Sequence, residues 1–350
     1  MKKSDSMGIQ STVTPPEGSM VGSKAVPALS PLLCLLGAVV LLSSITPVIK
    51  YVFQHSELHP IGMAGFRVTI GFFFLFVSTL LCDRRAVGGA KGIGQGDMAK
   101  LILLGLMGVA SYAVAAWGLL YTSVTHYILI YSLMPCFTAM FSCVWAKEVI
   151  SPVKLIGTLI SLSGCLIAVS DGVLEFGMSS AAGDALVMLF TIMMAAHLVL
   201  SSGMAKQVRP LPANALMFGG SSLVLSLLMV LVGATGWPAA KLDDFSPVTG
   251  VLVVYVGMAT AAVFLLRYLA LRSLTPMTVG VYHNLVPVCT IFIAGLCLDE
   301  VVEIGTIVGG VCIIAGAELV RRAPSIGWKL ESDWQVTGES LPDPTGIRTA

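Results

Sequence analysis

Five charged or titratable side chains stand in stretches that are otherwise apolar: Lys50, Arg67, His197, Arg267 and His283. An arginine offers a planar fork of donors that matches a carboxylate or phosphate through two bonds. An imidazole can exchange a proton near neutral pH or bind a polar group of a ligand. His283 is flanked by Tyr282 and Asn284, a polar cluster shortly before Pro287, and Tyr131 and Ser132 hold a similar place before Pro135. Trp117, with Tyr112 and Tyr121, supplies rings on which a flat molecule could stack. Each has a plainer reading. Lys50 and Arg267 can snorkel to a polar boundary. A lone buried histidine is more often a hydrogen-bonded packing residue, and Trp117 can serve as bulk or as an interface anchor. Arg67 can lock neighbouring carbonyls or contact an anion. No Asp or Glu stands out beside these cations.

Other chemistries find no support. There is no HExxH, no P-loop, no pair of buried aspartates and no recognisable Ser/His pair. Seven of the eight cysteines (Cys34, Cys136, Cys143, Cys165, Cys289, Cys297 and Cys312) fall in apolar stretches and Cys82 ends one, without CxxC or zinc spacing. No metal, no cofactor and no enzyme activity are expected. No dense Lys/Arg run points to nucleic acid.

Composition dictates what must position these residues. The 350 residues are 56% hydrophobic and 11% charged, whereas a soluble domain carries roughly 25% charged residues. So few charges cannot coat a water-facing surface, and the excess apolar area needs lipid. Ten apolar segments fall at about 32–53, 60–82, 98–120, 126–146, 152–170, 184–205, 213–234, 248–270, 275–297 and 302–321. Each is near the roughly 20 residues that cross a hydrocarbon core as a helix. Residues 1–30 and 323–350 are polar and read as disordered cytoplasmic tails. With the N-terminus inside, sixteen Lys and Arg fall in inside segments and one, Lys241, falls outside. That bias supports ten helices with both termini cytoplasmic. The first thirty residues lack the pattern of a signal or transit peptide, which points to a bacterial cytoplasmic membrane.

The chain repeats itself. At an offset of 152, Pro60 meets Pro212, Pro135 meets Pro287, Thr138 meets Thr290, Glu148 meets Glu300, Gly157 meets Gly309 and Gly164 meets Gly316. The units are 31–170 and 183–322, five helices each. Five is odd, so the halves lie in opposite orientations. The expected fold is an all-α integral membrane protein of ten transmembrane helices in two inverted five-helix repeats. Such a pair can expose one central site to either side of the membrane.

Pro47, Pro135 and Pro287 fall inside helices. Each removes a backbone donor and kinks its helix. They can shape a cavity and permit bending, or be plain packing kinks. The repetition of Pro135 at Pro287 favours the first reading. The small-residue stripes Gly157, Ser161, Gly164, Ala168 and Gly305, Gly309, Gly316 allow close helix contact, inside the chain or as a homodimer face. Glu148 and Glu300 can cap the following helix or pair with Lys147 or Lys154, and read as structural.

The stretches YSLMPCFTAMFSCVWAKEVISPVKLIGTLISLSGCLIA and YHNLVPVCTIFIAGLCLDEVVEIGTIVGGVCIIAGAEL, with Lys50 and Arg67, resemble the EamA-type domain of the drug/metabolite transporter superfamily. The resemblance covers roughly residues 31–322. It implies a central cavity lined by the first, third, fourth, sixth, eighth and ninth segments, with alternating access. It places the second segment outside that cavity, so Arg67 is read as a structural lock.

The reading that follows is a secondary transporter, by export or exchange, of a small polar metabolite. Cations without membrane carboxylates favour an anionic or zwitterionic substrate and disfavour carboxylate-driven proton coupling. The site candidates are His283, Tyr282, Asn284, Arg267, Tyr131, Ser132, His197, Trp117 and Lys50, with Pro47, Pro135 and Pro287 as kinks. A transporter of lipophilic compounds and a non-transporting scaffold or sensor are the alternatives.

Overall fold

Half of the helices open on a proline. Proline fixes φ near the helical value, and at the first position the N–H it lacks would have no helical partner. The computed structural model describes residues 30–56, 58–82, 93–122, 124–145, 150–170, 181–234, 246–298 and 304–323. Its helices are α1 (Pro31–His55), α2 (Pro60–Cys82), α3 (Gln95–Tyr121), α4 (Val124–Tyr131), α5 (Met134–Trp145), α6 (Pro152–Ser170), α7 (Ala181–Gln207), α8 (Pro210–Ala234), α9 (Pro247–Leu271), α10 (Pro276–Tyr282), α11 (Leu285–Leu298) and α12 (Ile304–Arg322). Ser246, Thr275 and Ser151 cap α9, α10 and α6, each side-chain oxygen accepting from the backbone N–H three residues on.

Seven of these helices are long and apolar enough to cross a membrane: α1, α2, α3, α7, the Pro210–Leu227 part of α8, α9 and α12. With α6 and the two paired rods α4–α5 and α10–α11, the chain makes ten crossings. Large apolar side chains such as Leu81, Leu103, Val251 and Val311 stay exposed on the outer faces, where lipid is the matching solvent.

The fourth and ninth segments differ from the expectation of one continuous helix. Each is two rods joined at a break, at Ser132–Leu133 and at His283–Asn284. The cause is local. Pro135 cannot donate to the Tyr131 carbonyl, and Pro287 cannot donate to that of His283. Tighter turns fill the gap: Leu133 N–H bonds Ile130 O, and His283 and Asn284 N–H bond Gly280 O and Val281 O. Both prolines thus fall in the first turn of a new helix.

The packing carries the repeat into space. The second crossings, α2 and α8, pack on each other, as do the fifth, α6 and α12. The pairs α1–α9 and α3–α7 exchange when the halves exchange, and both are extensive. This is the pattern of a two-fold relation between inverted halves. Glycines mark the closest approaches. Gly105 and Gly257 hold equivalent positions. A Cβ on Gly105 would overlap the Met217 carbonyl of α8, and one on Gly257 would lie 2.7 Å from Ile70 of α2. A Cβ on Gly164 would lie 2.7 Å from the Gly309 carbonyl, and one on Gly157 2.8 Å from that of Gly316. The small-residue stripes therefore meet each other inside the chain, and a homodimer would need another surface.

Lys154, one of the sixteen charges counted as inside, is buried at the start of α6. Most of the charges behind the inside bias, Glu148 and Glu300, and the tails lie outside the described residues.

Candidate functional site

The kink in α1 begins the site. Pro47 leaves the Ser43 carbonyl without its helical donor, and Thr290 Oγ1 of α11, which donates to its own Val286 carbonyl at 2.8 Å, lies 3.1 Å from it. Ser43 Oγ likewise donates to the Val39 carbonyl at 2.8 Å and lies 3.2 Å from that of Val286. The two longer contacts set the kinked α1 against α11. Beside them lies a narrow cavity of about 30 Å3, smaller than a typical small-ligand pocket. Its walls follow helical spacing: Leu42, Ile45, Thr46 and Ile49 of α1, and Tyr112, Ala115, Ala116 and Leu119 of α3. Tyr127 and Tyr131 of α4, Phe190 of α7, and Val286, Pro287 and Thr290 of α11 complete it, with Arg67 of α2.

Four rings dominate the lining. Phe190 stacks on Tyr131 at 5.3 Å and on Tyr127 at 5.7 Å, and lies 5.9 Å from Tyr112. Arg67 is the cavity's cation. Its guanidinium carbon sits 4.0 Å from the centre of the Tyr112 ring, and its Nε donates to Thr260 Oγ1 of α9 at 2.5 Å. The residue is 5% exposed, and no carboxylate pairs with it among the described residues. A cation–π contact offsets part of the burial cost, but a buried guanidinium without a counter-anion is an incomplete arrangement.

The second segment therefore reaches the cavity, through Arg67, against the expectation drawn from the resemblance. The eighth, α9, contributes no lining residue and touches the site through Thr260. Arg67 bonds a hydroxyl of a neighbouring helix, where carbonyls were expected, and it faces the cavity.

The predicted site residues divide into three groups. Tyr131 and Pro287 line the cavity. Lys50 stands at its margin, its Nζ donating to the carbonyl of the lining residue Leu119 at 3.2 Å. Arg267, His197 and His283 form a separate, fully buried group. Arg267 Nη2 lies 3.4 Å from His197 Nδ1, its guanidinium carbon is 4.5 Å from the Phe264 ring centre, and its Nη1 has no hydrogen-bond partner. His197 also meets Ser201 Oγ at 3.4 Å. His283 Nδ1 lies 2.7 Å from the Val279 carbonyl, and its ring is edge-on to Tyr131 at 6.4 Å.

Of the remaining candidates, Asn284 and Tyr282 tie helices together, and Ser132 and Trp117 make local contacts. Asn284 Nδ2 donates to Ser161 Oγ of α6 at 3.1 Å, fastening the break before α11. Tyr282 Oη donates to Glu318 of α12 at 3.3 Å. Ser132 Oγ donates to the Leu129 carbonyl at 2.6 Å. Trp117 packs edge-on against His59 and does not line the cavity. Pro47 and Pro135 act through the backbone, as above.

Sequence reasoning missed Arg67, Tyr127 and Phe190 as lining residues. The signal for Arg67 was its charge within an apolar helix. It also passed over two carboxylates. Glu318, inside the tenth segment, pairs with Arg321 and Arg322. Asp184, at the start of α7, accepts from Thr122 Oγ1 at 2.5 Å and lies 3.3 Å from His126 Nδ1. His126 and Asp184 adjoin the cavity end marked by Leu119 and Tyr127.

The sequence model of one protein family, described as the EamA-like transporter family, matches residues 29–170 and 181–322. An uncharacterized transporter of Archaeoglobus fulgidus is 30% identical over 270 residues, covering 75% of this chain and 88% of that protein. The uncharacterized transporter YyaM of Bacillus subtilis is 24% identical over 254 residues, covering 69% of this chain and 81% of that one. A solved crystal structure superposes with a TM-score of 0.67 at 16% identity, over 84% of this chain and 99% of the other, and shares the fold.

Proposed function

Because the chain belongs to the EamA-like transporter family, we propose that it carries a small anionic metabolite across the membrane by alternating access around the α1–α3–α4–α7–α11 cavity. The observation that carries this reading is Arg67: a buried cation over the Tyr112 ring, in the cavity wall, with no carboxylate beside it among the described residues. A ligand carboxylate would complete that arrangement through charge-assisted bonds. Among the described residues that line the cavity none offers an anion to an ammonium group, which favours an anion over a zwitterion. In this reading the chain is a non-enzymatic transporter working by export or exchange. Its repeats 31–170 and 183–322 move against each other, and both termini face the cytoplasm of a bacterial inner membrane. A lipophilic substrate is the second reading, favoured by the four rings and the aliphatic α1 wall.

The test is the thermal stability of the purified protein against organic acids, amino acids, nucleotides and nucleotide sugars at millimolar concentration. A ligand that binds the folded state at a hundred times its dissociation constant stabilises it by about 2.7 kcal/mol. Stabilisation by carboxylates, followed by their counterflow into proteoliposomes, supports the anion reading. Stabilisation only by neutral apolar compounds overturns it in favour of the second.

A further inference from the structure

The buried group around Arg267 has a specific relation to the cavity. Moved by the repeat offset of 152, Arg267 falls on Ala115, His197 on Ile45, Phe264 on Tyr112 and His283 on Tyr131. All four of those positions line the cavity. The group is therefore the cavity's counterpart in the other half, closed and filled by its own side chains: Arg267, His197 and His283 are each at most 2% exposed.

The two cations are not copies of each other. Arg67 falls on Gly219, and Arg267 falls on Ala115. Yet each lies against the same aromatic position of its own half, Arg67 over Tyr112 and Arg267 over Phe264. Those two rings are neighbours, with centroids 5.8 Å apart. Each half thus supplies one cation and one ring to a continuous row, Arg67–Tyr112–Phe264–Arg267, running from the cavity into the closed side. At the far end Arg267 Nη1 is buried and has no partner, and Arg267 has no ion pair among the described residues. A donor left in that condition is costly unless something completes it.

We propose that Arg267 is a second carboxylate subsite, which takes over the acid group of the substrate when the closed half opens. The substrate class is a ring-bearing monocarboxylate. One cation per subsite matches one negative charge, and the rings along the row supply stacking faces. In the present state Arg67 holds the acid group. In the opposite state the Arg267 side becomes the cavity wall, and the unpartnered Nη1 and the neighbouring Nη2 receive the carboxylate. The inference rests on the reading of the Arg67 cavity as the transport site.

The experiment uses the full chain, with benzoate as probe and benzamide as its uncharged isostere. Thermal stability reads binding, and benzoate counterflow in proteoliposomes reads exchange. Expected are stabilisation of the wild type by benzoate and not by benzamide, and loss of that stabilisation in Arg67→Gln. Arg267→Gln is expected to keep the stabilisation within about twofold in concentration while counterflow slows at least tenfold. Arg267→Met, which removes the unpaired charge, is expected to be at least as thermostable as wild type without ligand. Wild-type counterflow in Arg267→Gln, with Arg67→Gln inactive, would overturn the second subsite and leave the Arg67 reading standing. A marked loss of ligand-free stability in Arg267→Met would overturn it too, by making Arg267 a structural residue. Failure of benzoate to stabilise the wild type at tens of millimolar would overturn the ring-bearing class and its second subsite, while the wider panel of carboxylates still decides the Arg67 reading.

Discussion

Arg67 and Thr290 show how single side chains define the cavity. Arg67 needs its fork of donors as well as its charge, because its guanidinium carbon sits over Tyr112 while its Nε reaches Thr260. Lysine cannot do both. Arg67→Lys is therefore expected to retain the fold and to weaken carboxylate binding at least tenfold, read by thermal shift against benzoate. Thr290 acts on the backbone. Its hydroxyl is shared between its own Val286 carbonyl at 2.8 Å and the Ser43 carbonyl that Pro47 leaves open at 3.1 Å. Thr290→Val keeps the shape and removes the donor, which costs about 1–3 kcal/mol for a buried acceptor; Thr290→Ser is expected to recover most of the lost thermal stability. Which residues carried charge into the membrane was legible in the sequence, and of the named candidates Tyr131 and Pro287 line the cavity. The direction in which each charge points was not legible. In a soluble helix the polar face reveals the rotation about the axis, but here the lipid side and the core side are both apolar. Phe190 and Tyr127 look like any other bulky residue until α4 and α7 are set against each other. For the same reason Tyr282 and Asn284, neighbours of His283 in sequence, diverge to α12 and α6.

At the scale of elements, the helix breaks decide what the prolines do. A proline inside a continuous helix costs about 3 kcal/mol or more, so its replacement by alanine would stabilise the protein. In the first turn of a new helix it costs little. Pro135 stands second in α5, after a break already closed by tight turns. Pro135→Ala is expected to shift the unfolding free energy by less than about 1 kcal/mol, and a gain near 3 kcal/mol would mean that the fourth crossing is one kinked rod. The sequence marked the prolines but not the breaks, which also involve distant partners, as at the ninth crossing, where Asn284 bonds Ser161. The glycines of α6 and α12 give a sharper contrast. A Cβ on Gly316 would overlap the Gly157 carbonyl, whereas one on Gly203 of α7 meets nothing within 4 Å. Gly316→Ala should therefore destabilise by about 1–3 kcal/mol through forced separation of the helices, and Gly203→Ala should stabilise by up to about 1 kcal/mol. Equal effects at the two sites would contradict the α6–α12 contact.

At the scale of the whole molecule, the repeat is both the most legible feature of the sequence and the source of its mechanical prediction. An offset of 152 found from matched prolines, glutamates and glycines reappears as equivalent packing, with α2 on α8, α6 on α12, and the exchanged pairs α1–α9 and α3–α7. What the offset could not say is which half is closed. The geometry distinguishes them: Thr46 lines the cavity, and its counterpart Leu198 is fully buried. If the halves exchange conformations during transport, these two positions must exchange accessibility. In a cysteine-free background, Thr46→Cys is expected to react with a small maleimide in the resting protein and Leu198→Cys to be protected. Conditions that populate the opposite state should reverse the order, with Leu198→Cys reacting at least tenfold faster and Thr46→Cys slowing. Neither residue makes a bond that the other state would have to break, so the pair reports access alone. If both change in the same direction, the cavity breathes as a unit and the inverted repeat is architecture without alternation; opposite changes make the two-fold relation the working principle of the transporter.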